Sequence, residues 1–589
     1  MAHVSRGPVP IATIVAFSLV LSLAAPAAAA GDTLVSNGSP PSPFAQNKQN
    51  EPALAVDANR PNILAAGSND EIDLEACSAG DPTTCPFTPG VGVSGIYFSF
   101  DSGATWTQPT YTGWSARDCL GPAACSPHVG SIGTLPKYYE KGLASNGDPA
   151  LAFGPRPGAN GAFDWANGSR LYYANLASNF SAVRSETAFK GPVALTVSRT
   201  DDVQAAAAGD ASAWMDPIIV SKQSATTFSD KEQIWADNAS SSPFFGNVYV
   251  CNASFRSNSH GNAAPAPLVM ATSTDGGDTW RNQQVTPAEN NPFNPVHGFG
   301  ASGCAIRTDS QGVVYVFANQ FAVGLPGAGY HILIQSFDGG RSWTKARKLF
   351  HAYDTCNYFD PVLGRCTMDG VAGARDDLGS APSVDIANGA PTGADATDEI
   401  LDTWVDGQDG LNHEHVKVAY SSDGAATWSA PASIERNGDR GYYSAVGLSP
   451  NGSDAYLVYN AFTTPFRTNT TDPRSLVGVV LHADLSTSGV PGAWTELHRG
   501  TPGDPRGTSQ NGLTAEFLGD YVYAVATRSY GAAVWNDARD AADCPGIDAW
   551  RMALQTGDTT VPQPAPNADC PSTFGNSDIY GGAFADPTP

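Results

Sequence analysis

Basic residues are scarce in this sequence. Its 589 residues include 32 Lys and Arg against 57 Asp and Glu, a formal charge of −25. That balance argues against nucleic acid or an anionic membrane as the main partner and fits a chain kept soluble outside the cell. After residue 30 no run is long and apolar enough to span a bilayer. No CxxC pair or Cys/His cluster has zinc spacing. Nucleotide-dependent chemistry and a hydrolase elbow also lack support, since no phosphate loop, dinucleotide fingerprint or G-x-S-x-G stands in a strand-to-helix context.

What the chain does have is turn chemistry and cysteine. Sixty-one Gly, 44 Pro and 10% aromatic residues give the composition of an exported all-β protein. The first thirty residues read as a signal peptide: Arg6, an apolar core over 11–25, and Ala28-Ala29-Ala30 before Gly31. Ten cysteines in an exported chain point to disulfides. Spacing favours Cys77 with Cys85, Cys119 with Cys125, Cys356 with Cys366, Cys544 with Cys570, and Cys251 with Cys304, although spacing alone leaves the connectivity open.

Four stretches organise the chain: SFDSGATW from Ser99, STDGGDTW from Ser273, SFDGGRSW from Ser336 and SSDGAATW from Ser421. They follow S-x-D-x-G-x-[TS]-W, with Ala425 at the glycine position of the last copy, and constitute an internal repeat. In each, the carboxylate of Asp101, Asp275, Asp338 or Asp423 can accept backbone N–H bonds of its own turn. The closing Trp offers an apolar wedge between sheets. The motif resembles the Asp box (BNR repeat) of the sialidase, or neuraminidase, superfamily, where it forms the turn between the third and fourth strands of a propeller blade.

Around these turns a three-part strand unit recurs, beginning with EPALAVD at 51–57 and ending with YVYAVA, GAAVWNDAR and DAWRMALQ near 521–555. Seven units imply an all-β propeller of four-stranded antiparallel blades, with six blades as the alternative. The reading divides the chain into a signal peptide (1–30), a leader able to close the ring (31–50), the propeller (51–557) and a tail tied back by a disulfide (558–589).

In a propeller, loops entering the first strand and loops joining strands two and three share one face. The longest and most Cys-rich loops fall there, so function is sought at that mouth. The resemblance implies an exo-α-sialidase type of glycoside hydrolase acting on glycans, with an arginine clamp for the sugar carboxylate, an Asp acid/base and a Tyr nucleophile activated by Glu. Loop position assigns Arg375, Arg440 and Arg539 to the clamp, Asp70 to the acid/base, and Tyr443 or Tyr521 with Glu516 to the nucleophile pair. Asp520 and Asp537 join as substrate contacts. The family's F/Y-R-I-P signature is missing, Glu51-Pro52 standing in its place.

No cofactor is required on this reading. Asp376, Asp377 and Asp406, with Asp402 and Asp409 nearby, could hold calcium, and His413 with His415 form a weaker pair for zinc. Two rival readings remain: an extracellular propeller that binds glycan or protein without catalysis, and a polysaccharide hydrolase using paired carboxylates alone.

Overall fold

The computed structural model describes residues 1–3, 31–181, 184–256, 265–288, 300–321, 328–356 and 358–588. The signal-peptide reading falls on residues that lie, but for the first three, outside these. The chain forms a ring of seven antiparallel four-stranded blades. Blade 3 illustrates the plan: Thr227–Ala236 lines the axis, followed outward by Val248–Arg256, Leu268–Ser273 and Arg281–Gln284. In blade 1 the outermost strand is reduced to a bridge between Phe98 and Thr107. No helix among the described residues is long and apolar enough to cross a membrane.

Each blade presents one apolar face to each neighbour, and a buried cluster fills the seams. Leu151 and Phe153 pack on Ala65 and Phe98 between blades 1 and 2. Tyr443 and Val458 pack on Ala524 and Trp535 between blades 6 and 7. A seam buried from both sides explains why central strands such as VYVFANQF read as continuous apolar runs instead of alternating ones.

The ring closes on the N-terminal segment. Thr33–Leu34 pairs with Gly581 and Tyr580 as the outermost strand of blade 7. The third strand of that blade is Asp578–Ala585, which corrects the assignment of DAWRMALQ to this position. Those residues belong instead to a helix, Pro545–Thr556, with Pro at its first turn and Gly557 closing it in the left-handed conformation. Ile547, Trp550 and Leu554 recur at helical spacing and pack on Phe44, Leu513 and Phe574.

The four repeated turns share one geometry. Each follows the third strand of its blade, and Ser99 Oγ donates to Asp101 Oδ1 at 2.9 Å while accepting from Gly103 N at 2.8 Å. Thr105 N and Oγ1 then bond the two carboxylate oxygens at 2.9 and 2.6 Å. The same bonds recur around Asp275, Asp338 and Asp423. The fifth motif residue has positive φ in every copy, and Ala425 tolerates at 67° what Gly103 adopts at 85°. Each Trp wedges against the preceding blade, as Trp428 does edge-on to Phe317 at 5.9 Å. These aspartates are turn fasteners on the face away from the mouth.

Five disulfides join Cys77–Cys85, Cys119–Cys125, Cys251–Cys304, Cys356–Cys366 and Cys544–Cys570. Cys251–Cys304 alone ties one blade to the next, closing a 53-residue separation between blades 3 and 4. Replacing both by Ala is expected to cost about 2–5 kcal/mol, read as a lower urea midpoint. An unchanged midpoint would show that the seam packing suffices.

Candidate active site at the propeller mouth

The innermost strands enter the ring through a repeated distortion. At Asn50/Ala53, Asp230/Gln233 and Gly441/Tyr443 the pairing slips, leaving a bulge just inside the mouth. Glu51 and Lys231 sit in two of these bulges with φ of 56° and 55°, and Asp148, at 51°, lies in the break between the strands Leu143–Ser145 and Ala150–Pro155. Left-handed backbone at non-glycine residues costs about 1–3 kcal/mol each, and such strain clusters where side chains must be aimed. Here it gathers charged groups from blades 1, 2, 3 and 7.

Lys231 is the centre of this group, its side chain only 9% exposed. Its Nζ donates to Asp148 Oδ2 at 2.9 Å and to Asp520 Oδ2 at 2.6 Å. Arg375 Nη2 donates to the same oxygen of Asp520 at 2.8 Å, and its guanidinium lies over the Phe517 ring at 4.4 Å. Burial alone would raise Asp520, but Arg375 and Lys231 outweigh it and hold the carboxyl far below its usual range. Asp148 is likewise held down against burial, by Lys231 and by a hydrogen bond from Glu51.

Other carboxyls of the mouth go the opposite way. Burial, with Asp148 adjacent, raises Glu51 well above its ordinary value. Burial raises Asp230 to about 7, opposed by Lys231 and aided by Asp148. Asp148 held down and Glu51 and Asp230 raised around it make a coupled group of carboxyls beside one ammonium.

Next to this cluster lies a cavity of about 220 Å³ lined by Arg365, Arg375, Gln510 and Glu516, with Val362 and Leu363 as its apolar wall. Glu516 is 3% exposed, and its Oε2 has no protein partner. Burial, reinforced by a hydrogen bond and repulsion from Asp369, raises its carboxyl well above the ordinary range. Deeper on the axis, a smaller cavity of about 70 Å³ is bounded by Gln233, Tyr443, Asp520 and Tyr521. At the far end a third chamber of about 180 Å³ is walled by Leu54, Leu151, Trp235, Leu448 and Val525.

The mouth thus brings together five of the residues singled out from sequence: Arg375, Glu516, Asp520, Tyr443 and Tyr521. Tyr442 and Tyr443 donate their hydroxyls to the Arg375 carbonyl at 2.6 and 3.2 Å. Burial pushes the Tyr443 and Tyr521 phenols well above their ordinary value, and neighbouring carboxylates push them further. Neither is poised as a phenolate.

Arg440 and Arg539 are engaged elsewhere. Arg440 bonds Glu414 at 2.8 and 3.0 Å and the carbonyls of Met368 and Thr464. Arg539 bonds Asp537 at 2.7 Å and Asp32 at 2.6 Å while lying over Tyr580. These donors are held by their partners, which for Arg440 include Glu414 of blade 5, and neither guanidinium lines the cavity that holds Arg375. Asp537 is accordingly the partner of Arg539 and of Trp535 Nε1.

Asp70 is also a fastener, accepting from Tyr97, Gln49, Gln108 and the Ile72 amide while fully buried.

The expected calcium set does not assemble. Asp376 accepts from the Gly379 amide, Asp377 pairs with Arg365, and Asp406 pairs with Lys417 at 3.1 Å. Asp402 is held by His331 and Asp409 by His415. Among the described residues, the His/Asp group compact enough for an ion is Asp454, His482, Asp484 and Asp586, on the far side of blades 6 and 7.

Two mouth residues were missed as site residues. Lys231 stands in sequence among the charged residues entering the first strands at the mouth, and what the sequence does not show is the slip in pairing at Asp230/Gln233 where it sits. Arg365 lies in the hairpin Tyr358–Asp360 and Arg365–Thr367, next to Cys366. The short Cys356–Cys366 spacing was the available signal that this loop is held rigid.

No protein-family model and no curated protein matches the chain. Among solved structures it is similar to the Hadza microbial sialidase Hz136, at 15% identity and TM-score 0.37 over 70% of this chain and 63% of that one. The intramolecular trans-sialidase from Ruminococcus gnavus gives 11% and 0.38 over 79% and 97%. Trypanosoma rangeli sialidase gives 12% and 0.36 over 74% and 55%. The chain therefore spans less than two thirds of the first and third of these proteins.

Proposed function

We propose that this chain is an exported glycoside hydrolase that removes a terminal acidic sugar from glycans, an activity of the exo-α-sialidase type. One observation carries the reading: two guanidinium groups, Arg365 and Arg375, share a sugar-sized cavity with the buried carboxyl of Glu516. Guanidinium groups suit the carboxylate of an acidic sugar through paired, charge-assisted bonds. A carboxyl kept protonated by burial suits the general acid of glycoside cleavage. In that step the Glu516 proton passes to the glycosidic oxygen as the C–O bond breaks, and water supplies the hydroxyl of the released sugar while its other proton restores the Glu516 carboxyl. Asp520 and Phe517 fix Arg375. The five disulfides and the acidic balance support export.

The test is release of a fluorogenic aglycone from an α-sialoside by the purified protein. Turnover is expected, and Arg365→Ala, at a position with a partly exposed side chain, should lower kcat/KM roughly 10- to 100-fold. A folded wild type without turnover would overturn the reading. It would favour a non-catalytic glycan-binding propeller.

A further inference from the structure

We infer that the hairpin beside the cavity, 358–367, is a subsite for an apolar, alkyl-type aglycone on the leaving side of the glycoside. This rests on the reading of the cavity as the sugar site. Phe359 is 60% exposed and Val362 40%, with Pro361 exposed between them. Large apolar side chains displayed together outside the core are a mark of an interaction site.

Their display is enforced by the backbone. The buried carboxylate of Asp360 accepts from the amides of Val362 at 2.8 Å and Leu363 at 3.0 Å through one oxygen. Its other oxygen accepts from the Ala372 amide at 2.9 Å and Gln555 at 2.6 Å. The Gly364 amide closes the turn on the Asp360 carbonyl at 2.8 Å. Cys356–Cys366 ties the strands together, and Tyr358 rests against Phe466. A turn fixed at so many points holds its apolar tip in water in the free protein, ready for a ligand to cover it without an ordering cost.

Continuity with the cavity identifies the occupant. Val362 and Leu363 of this turn are themselves the apolar wall of the space that holds Arg365 and Glu516. A sugar seated there with its carboxylate at the guanidinium groups and its glycosidic oxygen at Glu516 sends its aglycone out past that wall. A hydroxylated aglycone gains little from Val362 and Phe359, whereas each methylene of an alkyl chain that they cover adds to binding.

The test compares methyl and octyl α-sialosides, which share leaving-group chemistry and differ in apolar length, at concentrations below micelle formation. Released sialic acid is quantified for the wild type and Phe359→Ser. The wild type should favour the octyl substrate in kcat/KM by roughly tenfold or more, and Phe359→Ser should bring the ratio close to one. A wild-type ratio near one, or a ratio that Phe359→Ser leaves intact, overturns the subsite. If neither compound is cleaved, the hydrolase reading fails separately, and equilibrium binding of the same pair decides. Tighter octyl binding that Phe359→Ser abolishes upholds the subsite, and equal or absent binding refutes it.

Discussion

Glu516→Gln should reduce kcat on an α-sialoside by roughly 10²- to 10⁴-fold, the usual contribution of a positioned general acid. Gln keeps the size of the side chain and its ability to bond Asp369, so the cavity survives while the transferable proton is lost. The carboxyl sits high because it is buried and has Asp369 beside it, with Arg474 and Arg551 only partly offsetting this. Activity of the wild type should therefore fall on the alkaline side, as the raised carboxyl deprotonates, and the variant's residual activity should lack that limb.

The linked stability change has a definite sign. A carboxyl raised in the folded state contributes stability that is present below its unfolded pKa and is lost as pH rises through the folded value. Glu516→Gln removes this loss and should be at least as stable as the wild type in alkaline buffer. A variant with full turnover would remove Glu516 from the chemistry. One that is inactive and also less stable in alkali would point to a structural role.

The propeller was legible because its signals are local and repeated. A carboxylate that fastens its own turn needs only eight consecutive residues, so the turns at Asp101, Asp275, Asp338 and Asp423 could be placed from sequence. Blade 7 was harder because its strands are not consecutive: Asp578–Ala585 returns after a helix and pairs with Thr33–Leu34 from the other end of the chain. DAWRMALQ is apolar enough for a strand, and its helical spacing decides only once the packing against Phe44 and Phe574 is seen.

The site was legible in its positions and not in its partnerships. Loop order carried Arg375, Asp520 and Glu516 to the mouth, but it does not give the partner that each guanidinium takes, Glu414 for Arg440 and Asp520 for Arg375. Nor does it reveal the slip in pairing between Asp230 and Gln233 or the positive φ of Lys231 within it. Pairing across blades is set by the ring as a whole, and a single strand does not encode it.

Lys231→Met is the second large effect expected. Its ammonium is the shared partner of Asp148 and Asp520, both nearly inaccessible. Met preserves the stem and removes the charge, leaving Asp148 without its ion-pair partner and Asp520 with Arg375. Breaking a buried pair from one side costs about 3–5 kcal/mol. The loss should depend on pH in a direction that the individual carboxyls dictate. Asp148 and Asp520, depressed in the folded protein, contribute stability above the ordinary carboxylate pKa that is lost as pH falls through their folded values. Without Lys231 that contribution shrinks or reverses, while protonation in acid relieves the unpaired charge. Glu51 and Asp230, already raised, contribute stability that is lost as pH rises, for Asp230 through about 7. Removing the ammonium raises them further. Both effects place the damage in the same window. Urea midpoints should differ strongly between wild type and variant at about pH 8 and converge toward about pH 5. A deficit of equal size at both values would mean that Lys231 acts through the packing of its stem and the strained bulge, and that the mouth carboxyls are neutralised by other means.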